Sequence, residues 1–294
     1  AQRVRRIGGG PLMTSQLHDV PSEVAEVDEV HAFVPDDELT VKSGYQLPPG
    51  VRLIKTNAGL FITPIIVIIG SIVLYSYVQS ADKLFQDERA LDWNANLRPQ
   101  LEQHLAITMW STLFTIVMAV PLGILLTRPK YKRIGSPILA VATSGQAIPA
   151  FGLLVLAFAW LGRGPWTTIW ALSLFTLLPV LRNTMVGLEQ VDKNVIEAGR
   201  GMGLTKGQAL RQIELPLAIP VILAGVRTAL VITVGMAALA YLIGGGGLGV
   251  TISAGLKLSR DLVLITGAVM TALVALSVDW IAALIEKTLR PRGL

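Results

Sequence analysis

The sequence predicts an all-α, polytopic membrane protein, a bundle of about six transmembrane helices. Three observations predict it. Hydrophobic residues are 52% of the chain and charged residues only 15%, against about 25% charge in an ordinary soluble domain, and mean hydropathy is +0.59. The apolar residues gather into six runs, most of them near the ~20 residues that a helix needs to cross a bilayer. The basic residues gather in loops that fall on one side of such a bundle. The chain has no Cys, which excludes disulfides, thiolate metal sites and thiol nucleophiles. It contains no G-x-x-x-x-G-K-S/T run, so it binds no nucleotide through a P-loop. Nothing in it points to nucleic acid.

Residues 1–59 differ from the rest. Arg3, Arg5 and Arg6 open the chain. From Thr14 to Gly50 the acids Asp19, Glu23, Glu26, Asp28, Glu29, Asp36, Asp37 and Glu38 are opposed only by Lys42, and Pro21, Pro35, Pro48 and Pro49 punctuate them. This composition predicts a cytoplasmic, disordered acidic tail. The tail lacks the apolar core and cleavage site of a signal peptide, and Met13 is an alternative start to Ala1.

The six runs are Leu60–Val78, Leu105–Thr127, Ile134–Leu161, Trp166–Leu181, Leu217–Ile243 and Leu262–Ile285. The third is long for one crossing and the fourth short. Residues 60–104 then comprise the first crossing and an outer connecting segment, and residues 105–294 the core of the bundle. Arg128, Lys130, Lys132 and Arg133 crowd the loop after the second run. Arg182, Lys193, Arg200, Lys206 and Arg211 follow the fourth, and Lys287, Arg290 and Arg292 follow the sixth, while Arg52 and Lys55 precede the first. With six crossings all four groups share one side. The excess of positive charge makes that side the cytoplasm and puts both termini there. Asp82, Asp87, Glu88 and Asp92 balance the outer segment after the first run.

The mixed, charged stretch Val191–Leu217 lies on the cytoplasmic side between the fourth and fifth runs. Asp192 can cap a short helix to about Met202, and Gly203 can end it. Thr205 and Gln208 have capping-box spacing for a second helix. Val195, Ala198, Gly199 and Met202 share a face of the first helix, and Ala209, Leu210 and Ile213 a face of the second. Pro216 is expected to end the unit. Helices this short are marginal alone in water, so their apolar faces need a partner in this chain or in another protein.

Glu197-Ala198-Gly199, then Gly203, then Ile213-Glu214-Leu215-Pro216 resemble the cytoplasmic EAA loop of the membrane subunits of ATP-binding-cassette importers. Gly199 stands where that family usually has a second Ala. The resemblance implies a type I importer permease fold. Its coupling helices would sit in a cleft of the ATPase subunit through Glu197, Ala198, Gly199, Gly203, Leu204, Thr205, Ile213, Leu215 and Pro216. Over about Leu97–Leu289 the motifs Gln103-His104-Leu105, Pro121-Leu122-Gly123-Ile124, Gln146-Ala147-Ile148-Pro149, Leu178 to Thr184 and Ile243 to Gly249 occur in order. This pattern is similar to the osmoprotectant permeases for glycine betaine, choline, carnitine or proline, a branch that also resembles methionine permeases.

The resemblance further implies an ATPase subunit dimer that carries ATP and Mg, with no cofactor in this chain. It implies a second permease copy or paralogue and an extracytoplasmic substrate-binding protein. Some relatives fuse that binding domain to the permease; no such domain is expected after the sixth run. The aromatic cage that selects a quaternary amine would belong to the separate receptor.

Four further groups are candidates. Ser144, Gln146 and Pro149 lie in the third run, and counting from Ile134 at ~1.5 Å per residue puts Gln146 near the bilayer midplane. They either line the substrate path or make a proline kink whose amide bonds a neighbouring helix. Gly244, Gly245, Gly246, Gly247 and Gly249 form either a flexible turn or a pliant outer loop beside the pathway mouth. Trp160, Trp166 and Trp170 fit an interfacial belt or a cation–π site for a quaternary amine. Arg227 and Asp279 lie at similar depths, ~15 Å and ~12 Å from the cytoplasmic ends of consecutive antiparallel runs; they are expected to form a structural ion pair, the alternative being that Arg227 snorkels to the interface and Asp279 bonds a nearby hydroxyl or water. The histidines His18, His31 and His104 make no metal or catalytic constellation. A secondary transporter would need ion-coupling carboxylates inside its spans, and Asp279 is the only acid well inside one. A non-transporting membrane scaffold would not need the pattern from Glu197 to Pro216.

Overall fold

The computed structural model of the chain describes residues 58–289; the acidic segment expected to be a disordered tail lies outside them apart from its last two residues. The first helix, α1 (Ala58–Ser80), is apolar nearly all round and contacts the bundle along α12 (Asp261–Leu289). Gly70 leaves room for Leu273 of α12, and Trp280 Nε1 donates to the Leu60 carbonyl at 2.8 Å. A short helix α2 (Phe85–Ala90) and a π turn (Trp93–Leu97) lead into α3 (Arg98–Thr127).

Helix α3 is the centre of the bundle. It packs against α6 (Pro165–Phe175), α7 (Leu177–Glu189) and α10 (Leu215–Ala237). Its buried face is small and polar: Thr108, Ser111, Thr115, Ala119 and Gly123. Small residues let helices approach closely where no hydrophobic effect drives them together. Gly123 meets Thr184, and Thr115 Oγ1 lies within 3.1 Å of both the Ser173 carbonyl and Thr176 Oγ1. Three apolar layers follow one another along these helices: Ile107, Leu154, Leu172 and Ala237; then Ala119, Leu126, Leu181 and Ala229; then Leu188, Ala218 and Ile222.

The third apolar run is not one helix. It is α4 (Lys132–Gly145) and α5 (Ala150–Leu161), bent by 96°. The break has a local cause. Gln146, Ala147 and Ile148 donate only to carbonyls three residues back, and Pro149 has no N–H and holds an extended ψ of 135°. The pair still crosses the bundle. Arg128, before α4, is paired with Glu214 at the start of α10. Gly164, after α5, donates to the Ile243 carbonyl beyond the end of α10 at 3.0 Å. The two ends of the broken pair therefore sit at opposite ends of α10. With the five helices long and apolar enough to cross alone, this makes six crossings among the described residues.

The fourth crossing is longer than its apolar run. α6 and α7 together span Pro165–Glu189, so Arg182 lies within α7 rather than in a loop. Thr184 returns its hydroxyl to the Val180 carbonyl at 2.7 Å, which lets a polar residue stay inside the helix.

At the end away from Glu214, α10 passes through a 3-10 turn (Ala240–Ile243) and the glycine run into α11 (Gly249–Lys257) and α12. Arg260, between α11 and α12, grips the fully buried Asp87 of α2 with both prongs of its guanidinium.

Candidate functional site

The stretch from Val191 to Leu217 folds as a helical hairpin. Asp192 accepts the Asn194 N–H at 2.8 Å and starts α8 (Lys193–Gly201). The helix closes with paired bonds, Gly203 N–H to the Arg200 carbonyl at 3.0 Å and Leu204 N–H to the Gly199 carbonyl at 3.2 Å. Gly203 sits at φ +96°, the left-handed residue of this closure. Thr205 and Gln208 exchange bonds as a capping box and open α9 (Lys206–Ala209).

Pro216 does not end the unit. A π turn (Leu210–Glu214) joins α9 directly to α10, and Pro216 sits in the first turn of α10. A proline there removes only an N–H that the widened ladder already leaves out. Lys206–Ala237 is therefore one continuous helical rod of 32 residues.

The two short helices meet at Gly199. It is buried beneath Ile213 and Leu204, and a Cβ at this position would run into the end of the Ile213 side chain. This is the structural counterpart of the missing Ala. The expected apolar face of α8 divides here. Gly199 turns inward, but Ala198 is exposed, and so are Val195 at 44% and Met202 at 80%. Glu197 and Thr205 are also exposed. On the second arm, Ala209 is buried and Leu210, Ile213, Leu215 and Pro216 are half-buried. The hairpin thus anchors one side in the bundle and leaves the other uncovered by the described chain.

Glu214, inside the IELP run, does something the sequence reading missed. It is 7% exposed and accepts both prongs of Arg128, at 3.2 Å and 2.6 Å. Lys132 meets Glu189 of α7 at 3.7 Å. The basic loop after α3 is thereby stitched to the hairpin. An acid between Ile213 and Leu215 at the mouth of a crossing, facing a loop with surplus positive charge, was the available signal.

Ser144, Gln146 and Pro149 cluster at the break between α4 and α5, and all three are exposed. Ser144 Oγ donates to the Ala140 carbonyl at 3.0 Å. The glycine run is tightly packed rather than pliant. Gly244, Gly246 and Gly247 hold φ of +79°, +82° and +83°. Gly245 N–H donates to the Ala240 carbonyl at 2.8 Å, and Gly247 N–H donates to Gln103 Oε1 at 3.3 Å. Gly249 lies against the Ala238 carbonyl, where a Cβ has no room. His104 is fully buried and donates Nε2–H to the Val234 carbonyl at 3.0 Å, joining α3 to α10. Arg227 Nε and Nη2 donate to the two oxygens of Asp279 at 2.6 and 2.8 Å, and Glu286 lies 3.6 Å from Nη1.

Six crossings, a centre of closely packed small residues and a hairpin continuous with a crossing define the membrane subunit of a transporter. The chain belongs to the family of binding-protein-dependent transport system inner membrane components, whose profile matches residues 119–291. It is a permease subunit of an importer, and the ATPase is a separate subunit.

The chain is 40% identical over 192 residues to the choline transport system permease protein OpuBB of Bacillus subtilis, covering 65% of this chain and 88% of that one. It is 40% identical over 199 residues to the carnitine transport permease protein OpuCB of Listeria monocytogenes, covering 68% and 90%. It is 39% identical over 197 residues to the osmoprotectant import permease protein OsmW of Salmonella typhimurium, covering 65% and 91%. Among solved structures it resembles the MetNI methionine ABC transporter in inward-facing conformations. That match has a TM-score of 0.59 and 25% identity, and covers 66% of this chain and 96% of that chain.

Proposed function

We propose that this permease carries a trimethylammonium osmoprotectant, such as choline, glycine betaine or carnitine, into the cell by alternating access. The observation that carries the reading is the hairpin. Its Gly199 joint fixes the two helices to each other, its rod continues into a crossing, and the apolar side of α8 is left open for a partner. That partner is the ATPase dimer, which holds ATP and Mg. When it closes, the docked hairpin moves with it, and the crossings open outward to a loaded extracytoplasmic binding protein. A coupled element of this kind works only through a difference in contact energy between its two states. A second permease copy or paralogue completes the pathway, with Gln146, Pro149 and Ser144 exposed at the broken helix as lining residues. The excess of basic residues in these loops supports a cytoplasmic side for the hairpin and both termini.

The substrate class follows the curated relatives. A second reading, a methionine or other amino-acid permease, is favoured by the likeness to the methionine transporter. Uptake of labelled choline, glycine betaine, carnitine, proline and methionine by cells with and without this chain separates the two. Uptake of methionine alone would overturn the first reading.

A further inference from the structure

Four aromatic rings at the outer end of the bundle form a ladder. Trp110 of α3 faces Trp166 of α6 with ring centroids 6.4 Å apart. One helical turn deeper, Phe114 stacks on Trp170 at 5.0 Å. Trp110 and Phe114, the two rungs' ends on α3, are 6.1 Å apart. Both helices run inward from the outer side, so the ladder leads into the membrane. Trp110 lies about 8 Å past Leu105, where the apolar run of α3 begins, at ~1.5 Å per residue. A belt of interfacial aromatics sits at headgroup level, where Trp166 opens its apolar run; Trp110, Phe114 and Trp170 lie deeper by that count.

Beside the upper rung is a cavity of about 460 Å³ walled by Trp110, Trp166, Ile107, Gln103 and the turn Gly244–Gly246. Its size falls within the roughly 300–1,000 Å³ of small-molecule sites. No acidic or basic side chain lines it. It offers ring faces and the amide of Gln103, whose oxygen is held by Gly247 N–H, but no counter-charge. A compact, strongly hydrated cation would lose its water here without compensation. A cation wrapped in methyl groups has little water to lose and is attracted to the ring faces. Arg163 packs its side chain over Gly244 at the glycine wall.

We propose that this cavity and the ladder bind the trimethylammonium head of the transported compound within the permease itself, apart from any selection by the receptor. The proposal rests on the osmoprotectant reading above and adds a selectivity site to it.

The test uses the permease with its ATPase and receptor, with membrane levels of each variant measured. Trp110→Leu and Trp166→Leu should raise the KM for choline uptake about 5- to 30-fold, the range expected of a desolvated cation–π contact. Trp110→Phe and Trp166→Phe, which keep a ring face, should recover most of that loss. Saturation-transfer NMR on the receptor-free permease–ATPase complex supplies a second readout. The methyl protons of choline should report contact that the double leucine variant loses, while the uncharged isostere 3,3-dimethylbutanol should change little between the two. If the wild type carries no trimethylammonium compound, the substrate reading falls and this site with it. If the wild type carries choline and both leucine variants keep its KM and its NMR contact, this inference alone is overturned.

Discussion

Arg128 and Glu214 form a two-pronged ion pair across 86 residues of sequence. It ties the loop after the central helix to the point where the hairpin becomes a crossing. Glu214 is 7% exposed, so losing its partner leaves a carboxylate short of compensation. Glu214→Gln and Arg128→Gln should each lower the thermal stability of the purified permease by about 2 kcal/mol, discounted because Arg128 is partly solvated. ATP hydrolysis by the assembled transporter should then respond less to loaded receptor. Unchanged melting temperature and unchanged stimulation in both variants would remove the pair from the coupling path.

Gly199 sets a size limit. Gly199→Ala meets only the flexible ends of Ile213 and Leu204 and gains helix propensity of about 1 kcal/mol, so uptake should persist. Gly199→Leu has to push Ile213 and Leu204 apart and should abolish uptake while the protein still reaches the membrane. Normal uptake by the leucine variant would show that the joint between α8 and the rod is not needed.

The break between α4 and α5 can be read with a single thiol, because the chain has no native Cys. Gln146→Cys should react with a small polar reagent at a rate that changes when ATP is bound. A rate that is zero in every nucleotide state would leave the residue as part of a bend and nothing more.

Arg227 and Asp279 should behave as partners. Each single charge reversal should reduce the yield of folded permease, at a cost of about 2 kcal/mol. The double, Arg227→Asp with Asp279→Arg, should regain part of it. Glu286, 3.6 Å from Arg227, tempers the rescue because it stays beside the new aspartate. A double variant no better than the worse single would count against the pair.

Asp87 gives the segment between the first two crossings a defined acid response. The paired guanidinium of Arg260 holds its carboxyl below the ordinary value of 3.8, helped by the Leu84 N–H. A lowered carboxyl pKa stabilises the fold fully above the ordinary value and loses that contribution as pH falls through the lowered one. Asp87→Asn should therefore melt earlier than the wild type at pH 7, and the gap should close only below pH 3.8. A gap already closed at pH 5 would contradict the assignment.

Local signals in the sequence were readable because their causes are local. Asp192, Gly203, Thr205 and Gln208 each act on backbone groups within a few residues, and each stands at the helix end its type suggests. Four of the six crossings were readable from apolar length alone. Pro216 misled because a proline can be the start of a helix as well as its end, and the π turn before it lies in no single residue. The third run was legible as a proline kink at Gln146 and Pro149, but the 96° size of the bend was not, because no single residue sets it. Arg128–Glu214 was out of reach because its partners meet only after α3, α7 and α10 have packed. Gly199 was legible as part of the apolar face of the first helix; that Ile213 and Leu204 close over it was not, because it depends on how the two arms pack.

The rod from Lys206 to Ala237 has a mechanical consequence. Its 32 residues make a lever about 48 Å long at ~1.5 Å per residue. A tilt of about 5° about its hairpin end would sweep the other end by about 4 Å, on the length given by that rise. That far end carries Ile243, to which Gly164 is bonded, and the glycine turn that walls the aromatic cavity. On the coupling proposed above, a small displacement at the hairpin would be carried to the glycine turn along one helix, with no need for a relay of side chains in between.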